Sequence, residues 1–144
     1  KVGFPQAVPM VATLSLTFDE LDHQTASMTL PDQSAYHNHV GGPHAGAMFT
    51  LAESASGALV LANFGDRLGD ATPLAVEATI RYLKLAMGPV TATARMMRSG
   101  EEILAELDRG GRPEFLVEID LTSSDGTVTG QMTIVWTLKP NKRS

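Results

Sequence analysis

Residues 38–64 read NHVGGPHAGAMFTLAESASGALVLANF. A Gly/Pro/His loop is followed by about twenty residues that are almost free of charge, and the one ionisable side chain in the apolar part is Glu53. Ala45, Ala47, Met48, Leu51, Ala52, Ala55, Ala58, Leu59, Leu61 and Ala62 are good helix formers with no proline among them. Gly42 and Pro43 punctuate the entry, and Asn63 and Gly65 are stop residues at the far end. A helix apolar nearly all round is either a core helix or a membrane span. A span needs about 20 mostly large apolar residues. This stretch is rich in Ala and Gly and is broken by Glu53, Ser54, Ser56 and Gly57, so the spacing predicts a core helix packed closely by backbone. A carboxylate inside such a helix costs several kcal/mol unless it is paired or protonated. Glu53 is therefore either matched by an Arg or His, turned to solvent at the helix edge, or chemically employed.

Around this stretch the chain alternates. Residues 11–18 place Ala12, Leu14, Leu16 and Phe18 opposite Thr13, Ser15 and Thr17, and residues 23–30 place Ala26, Met28 and Leu30 on one face. Together they predict a hairpin ahead of the helix. Residues 74–86, 90–98, 115–122 and 128–138 alternate in the same way, with turns at Met87-Gly88-Pro89 and Ser124-Asp125-Gly126. Ser99 followed by Glu101, Glu102, Ile103, Leu104 and Leu107 predicts a short capped helix between the fourth and fifth strands. The expected fold class is α+β: about six strands in a mostly antiparallel, curved sheet wrapped around one long helix. The expected organisation is one domain over residues 1–144, with 1–10 as an N-terminal arm and 139–144 as a polar tail. Exposed sheet edges and an over-apolar helix point to a homodimer or homotetramer.

Composition narrows the function. Sixteen acidic against eleven basic residues give a net charge of -5, which argues against a nucleic-acid partner. The chain has no cysteine, so thiolate metal sites and disulfides are excluded. Of the four histidines, His37, His39 and His44 cluster, but no carboxylate joins them at zinc-site spacing; no metal and no cofactor are expected. No signal peptide or membrane segment is read, and the expected setting is the cytoplasm.

Two strands, a loop carrying Asn38, Gly42, His44 and Gly46, a long helix carrying Glu53, and four further strands resemble the hotdog-fold acyl-CoA thioesterases. The likeness is greatest to the PaaI-like and 4-hydroxybenzoyl-CoA thioesterase branch and covers roughly residues 14–138. The segment Tyr82-Leu83-Lys84-Leu85-Ala86, with Gly88, carries it further. The resemblance implies hydrolysis of an acyl-CoA, with coenzyme A present only as part of the substrate. By position, Glu53 is the general base or nucleophile, the Ala45 N–H beside Gly46 polarises the thioester oxygen, Asn38 orients the acid or water, and His44 shapes the loop. The oxyanion role has physical support, because unpaired N–H groups and the positive helix end favour a developing negative charge. The sequence departs from the pattern at Ala45, where the family usually has Gly, and at Ala75, where many members place a strand hydroxyl; Thr72 is the nearby substitute. Arg81, Lys84, Arg95 and Arg98 are candidates for the coenzyme A phosphates, and Met48, Phe49 and Met96 for the acyl pocket. Two other readings stand beside this one. His39 and Glu53 have the fourteen-residue spacing of a hydroxyacyl-thioester dehydratase or hydratase, and the missing hydroxyl at Ala75 suits a non-catalytic acyl-CoA-binding protein.

Overall fold

The expected helix forms and the sheet lies against it. In chain order, the computed structural model, which describes residues 3–142, holds α1 (Phe4–Ala7), α2 (Pro9–Thr13), β1 (Thr17–Leu21), β2 (Thr25–Leu30), α3 (Ala45–Phe64), β3 (Ala71–Tyr82), β4 (Val90–Met96), α4 (Gly100–Asp108), β5 (Glu114–Ser123) and β6 (Val128–Pro140). The strands make one six-stranded sheet in the order β1-β2-β4-β5-β6-β3, and every pairing is antiparallel. This is the hotdog arrangement.

Burial follows the two-residue period of the strands. Ala26, Met28 and Leu30 of β2, Val90, Ala92 and Ala94 of β4, Phe115, Val117, Ile119 and Leu121 of β5, and Met132, Ile134, Trp136 and Leu138 of β6 are buried. From α3, Leu51, Ala52, Ala55, Ala58 and Leu59 meet that face. Small residues on both sides let the backbones approach, and α3 packs chiefly on β4, β2 and β5. Phe64 closes the far end with its ring 5.4 Å from that of Phe115, edge to face.

One polar chain crosses the core. The Trp136 indole N–H donates to Ser56 Oγ (3.1 Å), and the Ser56 hydroxyl donates to the Glu53 carbonyl oxygen (2.7 Å). It ties the helical turn that carries Glu53 to β6.

The two ends of the chain differ from expectation. Residues 11–13 are helical, not strand, and β1 begins only at Thr17. Pro5 and Pro9 stand in the first turns of α1 and α2, where proline's fixed φ favours a helical start and its missing N–H costs nothing. The arm is thus a pair of short helices, and Phe4 and Val11 are buried in the core. At the other end, the expected tail is partly strand: Lys139 and Pro140 pair with Thr72 and Ala71. Lys1, Val2, Arg143 and Ser144, the extremities of the expected arm and tail, lie outside the described residues. α3 ends as expected near Asn63, but Gly65 keeps right-handed helical torsions and leads into a 3₁₀ turn, Gly65–Arg67.

Ser56→Ala should leave the buried indole N–H without an acceptor and cost about 1–3 kcal/mol. The check is the midpoint of urea unfolding against wild type at constant slope; an unchanged midpoint would remove the bridge as a stabilising element.

Candidate active site

The loop before α3 is built on Asn38. Its Oδ1 accepts the N–H of Val40 (3.0 Å) and of Gly42 (3.1 Å), its Nδ2 donates to the Pro43 carbonyl (3.3 Å), and its own N–H donates to the Gly42 carbonyl (2.7 Å). Gly41 sits at φ +79°, which favours glycine. Gly42 is fixed by space: a Cβ there would lie 2.4 Å from the Ala86 carbonyl oxygen. The loop therefore packs directly on the turn after β3.

His44 caps α3, its Nδ1 accepting the Gly46 N–H at 2.8 Å. That bond requires an unprotonated Nδ1. It also removes Gly46 as an N–H donor to any ligand. The Ala45 N–H has no partner among the described residues and remains at the positive end of the helix. The Tyr82 hydroxyl donates to the Ala45 carbonyl (2.8 Å), pinning the end of β3 to the first helical turn. Burial pushes the Tyr82 phenol up. A cavity of about 340 Å³ opens here, lined by Asn38, Pro43, Ala45, Tyr82 and Lys84 among others.

Glu53 stands eight residues after Ala45 on the same helix, about 12 Å along the axis at 1.5 Å per residue. It is half-buried, and its carboxylate has no ion-pair or hydrogen-bond partner among the described residues. Burial alone pushes its pKa above the ordinary glutamate value. Glu53 lines a cavity of about 180 Å³ in which it is the one charged residue, the rest of the lining being mainly apolar. Of the fates open to this residue, pairing with Arg or His is excluded within the described chain.

The family model described as "Domain of unknown function (DUF4442)" matches residues 1–138. The chain belongs to the DUF4442 family. No curated protein matches it. Among solved structures, this DUF4442 protein is similar to PA5026 of Pseudomonas aeruginosa, described as a protein of unknown function and probable thioesterase, at TM-score 0.84 and 27% identity over 96% of this chain and 92% of that one. It is also similar to the thioesterase PA1618 of the same organism, solved as a mutant, at TM-score 0.77 and 21% identity over 94% and 89%. A third is the Staphylococcus aureus thioesterase enzyme SAV0944, also solved as a mutant, at TM-score 0.74 and 19% identity over 92% and 100%.

In the DUF4442 chain, Asn38, His44, Ala45, Gly46 and Lys84 gather at the start of α3, with Glu53 two turns away. The other candidates lie elsewhere. Arg81 is exposed on β3. Arg95 pairs with Asp120 (3.2 Å) and Glu118 (3.5 Å), and Arg98 with Glu106 (3.2 Å). These two arginines and Met96 line a cavity with His23 and Asn63 at the opposite end of α3. Thr72 donates to Asn141 Oδ1 (2.7 Å), at the far end of β3 from Tyr82, ten residues or about 33 Å along the strand. Ala75 is exposed and pairs with Trp136. Met48 is core, Phe49 is half-buried and His39 is exposed. Among the described residues no three His, Asp or Glu side chains are grouped to hold a metal.

Sequence reasoning did not single out Tyr82 as a site residue, nor the Trp136–Ser56 support under Glu53. Tyr82 carried a signal only as the first residue of the segment Tyr82-Leu83-Lys84-Leu85-Ala86 that shares the resemblance. The Trp136–Ser56 pair is eighty residues apart and carried none.

A carboxylate whose folded pKa is raised binds more protons in the native state than in the unfolded one. Stability then falls as pH rises from the unfolded glutamate pKa through the raised folded one. Glu53→Gln removes that slope. The variant should be the more stable of the two at neutral pH, and the gap should close as pH falls into the ordinary carboxylate range. Thermal unfolding of both proteins across that range is the check; parallel curves would mean that Glu53 is not desolvated.

Proposed function

We propose that this protein is an acyl-CoA thioesterase of the hotdog kind, similar to the PaaI-like and 4-hydroxybenzoyl-CoA enzymes, in which Glu53 drives hydrolysis of the thioester. The observation that carries this reading is an unpaired, half-buried carboxylate facing an apolar cavity on a helix whose start offers a free N–H. The fold of the solved thioesterases supports it.

As general base, Glu53 takes a proton from water as the water oxygen bonds to the acyl carbon. The C–S bond then breaks and the thiolate of coenzyme A recovers the proton. As nucleophile, a Glu53 oxygen bonds to the acyl carbon, thiolate leaves, and water cleaves the resulting anhydride. Either course builds negative charge on the thioester oxygen. The Ala45 N–H suits that charge, and each such contact is worth about 3 kcal/mol in the transition state. Lys84, in the cavity beside Ala45, is the favoured cation for the phosphates.

One chain cannot supply both groups to one carbonyl. Each must come within about 3 Å of the reacting atoms, and a rigid helix holds them about 12 Å apart. A second copy running antiparallel would bring the Ala45 of one protomer to the Glu53 of the other. β3 is the edge suited to that pairing. It is twelve residues long and exposes Leu74 and Val76, whereas the opposite edge, β1, has five residues and exposes two adjacent acids, Asp19 and Glu20.

Wild type should release thiol from acyl-CoAs, and Glu53→Gln should lower kcat by roughly 10²–10⁴-fold. The wild-type rate should rise with pH through a pKa above the ordinary glutamate value, since the ionised form is the base. Thiol release near wild-type rate from the variant would refute the assignment. Separately, Leu74→Glu with Val76→Glu should convert an oligomer to a monomer in analytical ultracentrifugation and remove turnover together with it; an active monomer would refute the shared site.

A further inference from the structure

Two cavities lie where α3 meets the arm and the sheet, and Phe4 lines both. The first, about 180 Å³, reaches from Glu53 over Gly57 and Val60 to Pro73 and Trp136. The second, about 280 Å³, lies between α1, β1 and the later turns of α3, over Ala58 and Ala62 and against Phe18 and Leu21. Phe4 and Leu61 line both. Phe4 is 7% exposed and is braced by Phe18, ring centroids 5.6 Å apart and tilted by 58°.

Glu53, Gly57 and Leu61 are spaced four apart, so they line one face of the helix. Along that face come a carboxylate, a gap and a wall. Gly57 makes the gap. A Cβ there would stop 3.8 Å from the Trp136 ring, at ordinary contact distance, so any side chain beyond Ala would fill the space next to the acid. Glycine in mid-helix is unfavourable for stability, and here its absent side chain is what leaves the cavity open.

We propose that the acyl group of the thioester lies in this first cavity, its carbonyl at Glu53 and its tail over Gly57 against Trp136, and that Phe4 closes the far end, restricting the protein to single-ring aryl or short acyl groups. The inference rests on the thioesterase reading and names the substrate class of that site. An apolar cavity of roughly 150 Å³ takes one benzene, so the observed volume holds one six-membered ring or an aliphatic tail of similar bulk. A longer chain that continues along α3 toward the second cavity meets Phe4, which with Leu61 lines both.

The experiment is a kcat/KM profile by thiol release on acetyl-, butyryl-, hexanoyl-, decanoyl-, palmitoyl- and benzoyl-CoA, for wild type, Phe4→Ala and Gly57→Leu, with circular dichroism on each. Wild type should favour benzoyl-, butyryl- and hexanoyl-CoA over decanoyl-CoA by about tenfold or more. Phe4→Ala should raise the decanoyl-to-butyryl ratio by about tenfold by joining the two cavities. Gly57→Leu should lower the benzoyl-to-acetyl ratio by a similar factor. Leucine is the better helix former, so this variant keeps the test open if Phe4→Ala loosens the arm. A wild-type preference for long chains, or ratios unmoved in folded variants, overturns the inference and leaves the thioesterase reading standing. Absence of thiol release from every substrate by folded wild type overturns both.

Discussion

A helix apolar on every side has to be covered on every side, and the structure depends on how far this chain manages that for α3. The inner sheet face covers one side with Ala26, Ala92 and Ala94 set against Ala52, Ala55 and Ala58. The short helices of the arm bring Phe4 and Val8 over another. What remains is a half-covered stripe of Phe49, Glu53, Gly57 and Leu61, four residues apart. Glu53 can stand unpaired only because it lies on that stripe. Deeper, the desolvation of its charge would exceed what the fold can bear; fully in water, its pKa would not move.

The same incompleteness bears on the proposed assembly. The helix start offers an N–H because His44 satisfies Gly46 and leaves Ala45. The carboxylate stands two turns away on the same rod, with half-buried Phe49 of the stripe between them. The asymmetry of the sheet edges agrees. β1 is short and acidic, as edges that stay unpaired are, while β3 is long and shows Leu74 and Val76.

The strand pattern, the buried helix, the cap at Ser99 and the acid on the helix were all readable, because each is written in local periodicity or in a single residue out of keeping with its neighbours. The arm was misread for a physical reason. Alternation at Ala12, Leu14 and Leu16 is compatible with a strand, but Pro9 starts a helical turn, and Ser15 at φ +55° ends the helical run before β1 begins. The Asn38 loop was legible as residue types but not as a structure. The resemblance gives Asn38 the role of orienting the acid or water, and the structure adds side-chain bonds to Val40, Gly42 and Pro43 that spacing does not reveal. Arg95 and Arg98, read as phosphate contacts, are plausible by strand position alone. Ion pairs to Glu106, Glu118 and Asp120 are set by cross-strand register and by α4, and spacing along the chain does not reveal them.

The Trp136–Ser56–Glu53 chain of hydrogen bonds lies in a core that apolar residues could have filled. Burying a hydroxyl and an indole N–H gains little net stability even when both are satisfied. What the pair supplies is a fixed rotation. Successive residues on a helix differ by about 100° around the axis, so an apolar helix on a face of small residues has few features that resist turning. A hydrogen bond from the sheet to Ser56, passed to the carbonyl of Glu53 itself, admits one rotation and one height. That rotation puts the carboxylate at the cavity edge and Gly57 opposite the ring of the same Trp136. A single side chain, Trp136, thus holds the helical turn that carries the acid and bounds the room beside it.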